Sequence, residues 1–178
     1  AKANFSLERV TKAAGNFDPD KLYWLQGEYM RRLTLEEKIE GTLPFLKRAG
    51  LISDTTDEVA MSKIRYVLEH AGERVKLFAD AIYYLSPILQ TSPNYDPKAV
   101  SDKLTKPGVA QRLREYSQVI KEMDPFDAEQ LKLSFIDFAA KQGIKPKDLD
   151  TPLRVALTGV TVGFGLHETM TVLGKAEV

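Results

Sequence analysis

Apolar residues recur along this chain at three- and four-residue intervals, separated by short polar or proline-containing stretches. That spacing predicts amphipathic helices. Asp18 before Pro19 is a helix-start signal, followed by Leu22, Leu25 and Tyr29 on one stripe. Thr34 with Glu37 three residues on predicts a capping box, and Leu35, Ile39, Leu43 and Leu46 share the next stripe. Pro44 lies inside that run and predicts a kink or a restart. Ala60, Ile64, Val67, Leu68 and Ala71 form a third stripe, and Val75, Phe78, Ile82 and Leu85 a fourth that Pro87 should stop.

TSPNYDPK, from Thr91 to Lys98, is the strongest internal break. Beyond it Val109, Leu113, Tyr116 and Ile120 predict a helix ending near Asp124-Pro125. Asp127 should cap the next, which carries Leu131, Phe135, Phe138 and Ala139 up to Gly143. KPKDLDTP then leads into a short apolar helix from Pro152 to Leu157, stopped by Gly159, and a last helix runs from about Leu166 to Leu173. Val160-Thr161-Val162 is the only strand-like alternation and is too short to anchor a sheet. The expectation is an all-α fold of two helical subdomains, residues 1–90 and 91–178.

Composition narrows the functions available. A length of 178 residues can bury a substantial core. Twenty-five basic and 25 acidic residues give a formal net charge of +0, so nucleic-acid binding would depend on placed cations and not on a global field. The chain has no cysteine, which removes thiolate catalysis and cysteine-based zinc sites. No apolar run approaches the roughly 20 residues of a membrane span, and AKANFSLERV lacks the pattern of a secretory signal. A cytoplasmic protein is expected, and GKAEV ends in mid-helix pattern, as in a piece of something longer.

The stretch ALTGVTVGFGLHETM invites a phosphate-loop reading, since Gly159, Gly163 and Gly165 precede a helix. It fails both templates: Glu168 takes the third glycine slot of a dinucleotide loop, and no lysine completes a Walker loop. His167-Glu168 lacks the second histidine of a zinc-protease motif, position 171 being Thr, so no metal site is expected. The carboxylates fall at capping and ion-pair positions, and no catalytic pair emerges. Met61-Ser62-Lys63 and His70-Ala71-Gly72-Glu73 echo signatures of class I aminoacyl-tRNA synthetases, but in reversed order and within one helix. Arg154 sits among apolar neighbours and either snorkels to water or presents its planar fork to a carboxylate, phosphate or base edge. Arg74 shares that ambiguity.

Several segments together resemble the bacterial glutamyl-tRNA synthetase family. FSLERVTKAAGNFDPDKLYWLQGEYMRRL resembles the segment after its lysine-containing ATP loop, GERVKLFADA its R-V-K-T-L segment, and PLRVALTG…GLHETMTVLGK its carboxy-terminal part. The resemblance implies a helical cage that reads the anticodon of tRNA for glutamate, with ATP and Mg used in a catalytic domain outside this chain. It also implies a monomer without membrane or DNA partners, and no catalysis or cofactor in this chain alone. The implied RNA-contacting residues are Arg74 against the third anticodon base and Arg154 against the first and middle bases. Thr151 stands beside them, and splayed bases pack on Gly163, Phe164, Leu166 and His167. Departures are visible: Phe164 replaces a common proline, His167 stands where relatives carry a carbocycle, Ile136 replaces an arginine and Gln26 an asparagine. The competing expectation is a helical protein-interaction scaffold that does not read RNA.

Overall fold

The computed structural model describes residues 16–55 and 57–178. The FSLERVTKAAG stretch, Phe5 to Gly15, therefore lies outside the described residues. Among the described residues every regular element is helical: α1 (Pro19–Arg32), α2 (Leu35–Arg48), α3 (Glu58–His70), α4 (Ala81–Leu89), α5 (Pro97–Lys103), α6 (Val109–Lys121), α7 (Ala128–Lys141), α8 (Lys147–Thr158) and α9 (Leu166–Leu173). Two 3₁₀ turns, Gly72–Arg74 and Phe78–Asp80, join α3 to α4.

Most helix starts follow from capping chemistry. The side chains of Asp18, Thr34, Asp57, Asp96 and Asp127 each accept a hydrogen bond from an amide in the first turn of the helix that follows. Thr34 and Glu37 form the full reciprocal box, with Thr34 N–H donating to Glu37 Oε2 at 2.8 Å. Helix α5 escapes the hydrophobic pattern because Ala99 is its one buried residue. Its start nevertheless repeats the Asp-Pro signal of α1, as Asp96-Pro97.

Three prolines lie inside helices. Helix α2 runs through Pro44 without restarting; both Pro44 and Glu40, whose carbonyl loses its intrahelical donor, face solvent. Helix α4 continues past Pro87 to Leu89. Helix α8 begins at Lys147, not Pro152, because the amides of Leu149 and Asp150 both donate to Pro146 O and the Leu149 side chain is buried. The fourth stripe is not one helix either. The Asp80 carboxylate accepts from the amides of Lys76 (3.0 Å) and Leu77 (2.9 Å), holding a turn before α4.

Two hydrophobic clusters form. The first joins Met30 to side chains of α2, α3 and α4, including Leu46, Ile64, Val67, Leu85 and Ile88. The second joins α6, α7, α8 and α9 through Tyr116, Leu131, Phe135, Leu149 and Met170. Every buried member of the first cluster precedes Gln90 except Phe164. Leu166, two residues later, belongs to the second. Helix α1 is held mainly by its end: Met30 is buried, and Arg31 donates to Glu73 at 3.0 Å. Leu22, Leu25 and Tyr29 are exposed, so its periodic stripe meets no core among the described residues.

Candidate nucleic-acid interface

Helix α8 ends at Gly159, whose φ of +77° is the left-handed conformation that favours glycine at a helix stop. A side chain there would also collide, since an added Cβ would lie 2.5 Å from Asn94 O. The segment after it is pinned from three directions. Asp96 N–H donates to Gly159 O at 3.0 Å. Tyr95 Oη donates to Ala156 O and Tyr83 Oη to Val162 O, both at 2.8 Å. Arg154 closes the third side: its Nη1 donates to Phe164 O, one residue beyond Gly163.

Arg154 resolves the ambiguity of its sequence context in both directions. Its side chain is only 12% exposed, and Asp150 Oδ2 stands 3.8 Å from Nη2, one turn back on the same helix. The stem is thus packed and the charge balanced. A guanidinium has five donors, and beyond Phe164 O the fork has no hydrogen-bond acceptor among the described residues. It is a braced cation with donors to spare.

The residues expected to pack against bases divide into two kinds. Phe164 and Leu166 are core side chains, each 3% exposed. Phe164 turns inward and meets the Tyr66 ring edge-on, with centroids 6.5 Å apart. In this structure its ring cannot stack on a base, contrary to the sequence-based expectation; what it offers at the surface is backbone. The glycines on either side allow this, because Gly163 brings bare backbone beside the guanidinium, an added Cβ lying 3.9 Å from Arg154 Nη1. Val162, by contrast, is exposed.

His167 is half-buried at the start of α9, edge-on to Phe135 with centroids 5.3 Å apart. Its Nε2 is buried and has no hydrogen-bond partner. Burial holds the imidazole below the ordinary histidine range, outweighing the opposing pull of Glu168 and Asp150. It is a neutral aromatic ring at neutral pH.

Thr151 lines a different wall. It is half-buried on α8 and faces a cleft of about 400 Å³ shared with Lys103, Lys106, Arg112 and Lys147. These cations, and the bracing tyrosines Tyr83 and Tyr95, carried no sequence signal of their own. Arg74 is exposed at the end of its 3₁₀ turn, and no hydrogen bond or ion pair joins it to the 159–165 segment. The link is indirect. Phe164 meets Tyr66, Tyr66 stacks on His70 at 4.2 Å, and His70 Nδ1 lies 2.8 Å from Tyr66 O, just before the turn that carries Arg74. Ile136, on α7, is exposed.

The catalytic lookalikes are structural. Lys63 pairs with Glu177 at 3.5 Å and reaches Ile88 O, tying α3 to the chain's last residues. No group of three or more His, Asp or Glu residues able to hold a metal occurs among the described residues. No described helix is long and apolar enough to cross a membrane.

Comparison with known proteins finds relatives over nearly the whole chain. A glutamate–tRNA ligase of Moorella thermoacetica is 34% identical over 174 residues, covering 98% of this chain and 36% of that protein. The glutamate–tRNA ligase of Methylacidiphilum infernorum is 35% identical over 178 residues, covering all of this chain and 39% of its own length. A crystal structure of a glutamate tRNA ligase from Elizabethkingia meningosepticum, in complex with its amino acid, superposes with a TM-score of 0.78 at 25% identity over 97% of this chain and 33% of that one. The chain thus spans little more than a third of the relatives it matches. A family model described as the anticodon binding domain matches residues 37–178, and the chain belongs to that family.

Proposed function

We propose that this chain reads the anticodon of tRNA for glutamate as the anticodon-binding part of a glutamate–tRNA ligase. In this reading the ATP- and Mg-dependent ligation takes place in a catalytic domain outside the chain, which alone neither uses ATP nor catalyses. It acts as a monomer in the cytoplasm.

The observation that carries the reading is Arg154. Its guanidinium is packed and oriented by Phe164 O and Asp150, with the remaining donors uncommitted. A fixed planar fork beside bare backbone at Gly163 suits an unstacked base, which single-stranded RNA presents by its exposed edges. The half-buried His167 stands near the Arg154 charge, and Thr151 lies one turn back on the same helix. Phe164 and Leu166 contribute by anchoring the segment. Arg74 is a second, exposed reader of another base.

Titrating the chain with labelled tRNA for glutamate, and with versions carrying altered anticodon bases, tests the proposal. Preference for the matching anticodon is expected at every salt concentration. Equal affinity for all anticodons would overturn it and favour a protein-interaction scaffold. Formation of glutamyl-adenylate by the chain alone would overturn the placement of the chemistry.

A further inference from the structure

The cleft that Thr151 faces holds an unusual charge arrangement for a chain with no net charge. Lys103 ends α5, Lys106 lies in the turn after it, Arg112 follows in the first turns of α6, and Lys147 opens α8. Asp148 is the only carboxylate lining the same cleft. None of the four cations makes an ion pair or a side-chain hydrogen bond among the described residues. Some cations elsewhere are paired, Lys47 with Asp54, Arg65 with Glu36 and Lys141 with Asp137, at 2.7–2.9 Å; what sets the cleft apart is that four unpaired ones line one concavity. The N-terminus of α6 adds to the positive character of the cleft, since Val109 lines it and the Gly108 cap supplies no side-chain acceptor.

The cleft is not a separate surface from Arg154. Lys147, Thr151 and Arg154 follow at i, i+4 and i+7 on α8, so they lie along one stripe. The stripe is about 10 Å long at 1.5 Å per residue. A strand that presents a base to Arg154 at one end therefore passes its sugar-phosphate backbone over the mouth of the cleft at the other. Thr151, at the midpoint, has a hydroxyl able to donate to a phosphate oxygen.

We infer that Lys103, Lys106, Arg112 and Lys147 form a phosphodiester-binding cleft that holds the RNA backbone beside the base read by Arg154. The inference rests on the proposed anticodon-reading function and divides the labour of that site. The cleft supplies sequence-independent affinity, and Arg154 supplies discrimination. Its contacts are electrostatic, so they weaken with salt, each cation on a single strand contributing about 0.7 to the slope of log affinity against log salt.

The test compares the chain with a variant carrying Lys103→Gln, Lys106→Gln and Lys147→Gln, titrated with tRNA for glutamate across a salt series. The salt slope is expected to fall by about 2, and affinity at low salt about tenfold or more. Preference for the matching anticodon over altered ones should be retained. Circular dichroism confirms the fold, and the single Arg112→Gln variant, expected to lower the slope by about 0.7, provides a second reading should the triple variant misfold. An unchanged slope in a folded variant, with anticodon preference intact in the parent chain, overturns the cleft and leaves the anticodon reading standing. Absence of preference in the parent chain overturns the anticodon reading itself. If polyglutamate binds the parent chain, is lost from the variant, and tRNA binding is unaffected, the cleft serves an acidic protein surface and the inference fails.

Discussion

Two arginines that the proposed function assigns to RNA stand in different settings. Arg154 is 12% exposed, hydrogen-bonded to Phe164 O and flanked by Asp150, on a segment pinned by Tyr83, Tyr95 and Asp96. Arg74 is exposed at the end of the three-residue 3₁₀ turn that opens at Gly72, whose φ is +59°, and its side chain has no hydrogen-bond partner among the described residues. An arginine side chain that must be immobilised on binding costs about 0.5–1.5 kcal/mol in lost rotamer freedom. Arg154 has met that cost during folding, whereas Arg74 meets it on contact. On the proposed reading, the first suits discrimination and the second adaptable attraction.

The largest effect that bears on this contrast is expected from Phe164→Ala. Emptying this site in the first core should destabilise the chain by about 3–5 kcal/mol, read as a lowered midpoint in urea. If Phe164 were instead a stacking platform, stability would hold and tRNA affinity alone would fall. Next comes Arg154→Ala, expected to weaken tRNA binding by about 1–3 kcal/mol and to relax preference at one anticodon base. Arg154→Lys should lose most of the same preference, because a point charge cannot replace a fork. Unaltered binding per folded molecule in Arg154→Ala would leave Arg154 as a brace only.

Arg74→Ala should change stability by no more than about 0.5 kcal/mol, while lowering tRNA affinity by about 1 kcal/mol. A stability loss comparable to a core substitution would erase the distinction between the two arginines. The smallest effect concerns His167, which faces Glu168, Asp150, Lys132 and Arg154 and is held neutral by burial. Its proton affinity is lower folded than unfolded, so the unfolded chain binds more protons as pH falls below about 6.5. The stability it contributes is present above that pH and is lost as pH drops toward its folded value. His167→Phe removes the buried unpaired nitrogen, so the melting temperature at neutral pH should hold or rise. The fall in melting temperature between pH 7 and 5 should become shallower; an unchanged profile would show that His167 is not the titrating group.

What could be read from the chain alone followed the range of the interactions. Capping is local, and Asp18, Thr34 and Asp127 marked their helices correctly. Asp96-Pro97 carried the same signal, obscured by the turn residues before it and by a helix that buries one alanine. Pro87 and Pro152 misled because a helix is held through such a proline where the flanking turn is buried, as Ile88 and Leu149 are. Periodicity marked α1 as a helix, although its stripe of Leu22, Leu25 and Tyr29 is exposed. At the site, Arg154 was conspicuous because a cation stood among apolar residues. The direction of the Phe164 ring was not, since glycines on both sides permit either face and the choice depends on Tyr66, almost a hundred residues earlier. The cations of the cleft are brought together from three helices and the turn between two of them, and no spacing in the chain announces that convergence.

Phe164 in one hydrophobic cluster and Leu166 in the other also bear on the order in which the molecule can be made. A chain emerging from the ribosome begins folding from its N-terminal end, yet the first cluster keeps an open position until residue 164 arrives. The surface beside Arg154 consequently cannot exist in an unfinished copy. On the proposed reading, base discrimination by Arg154 therefore waits for the segment after Gly163 to be made.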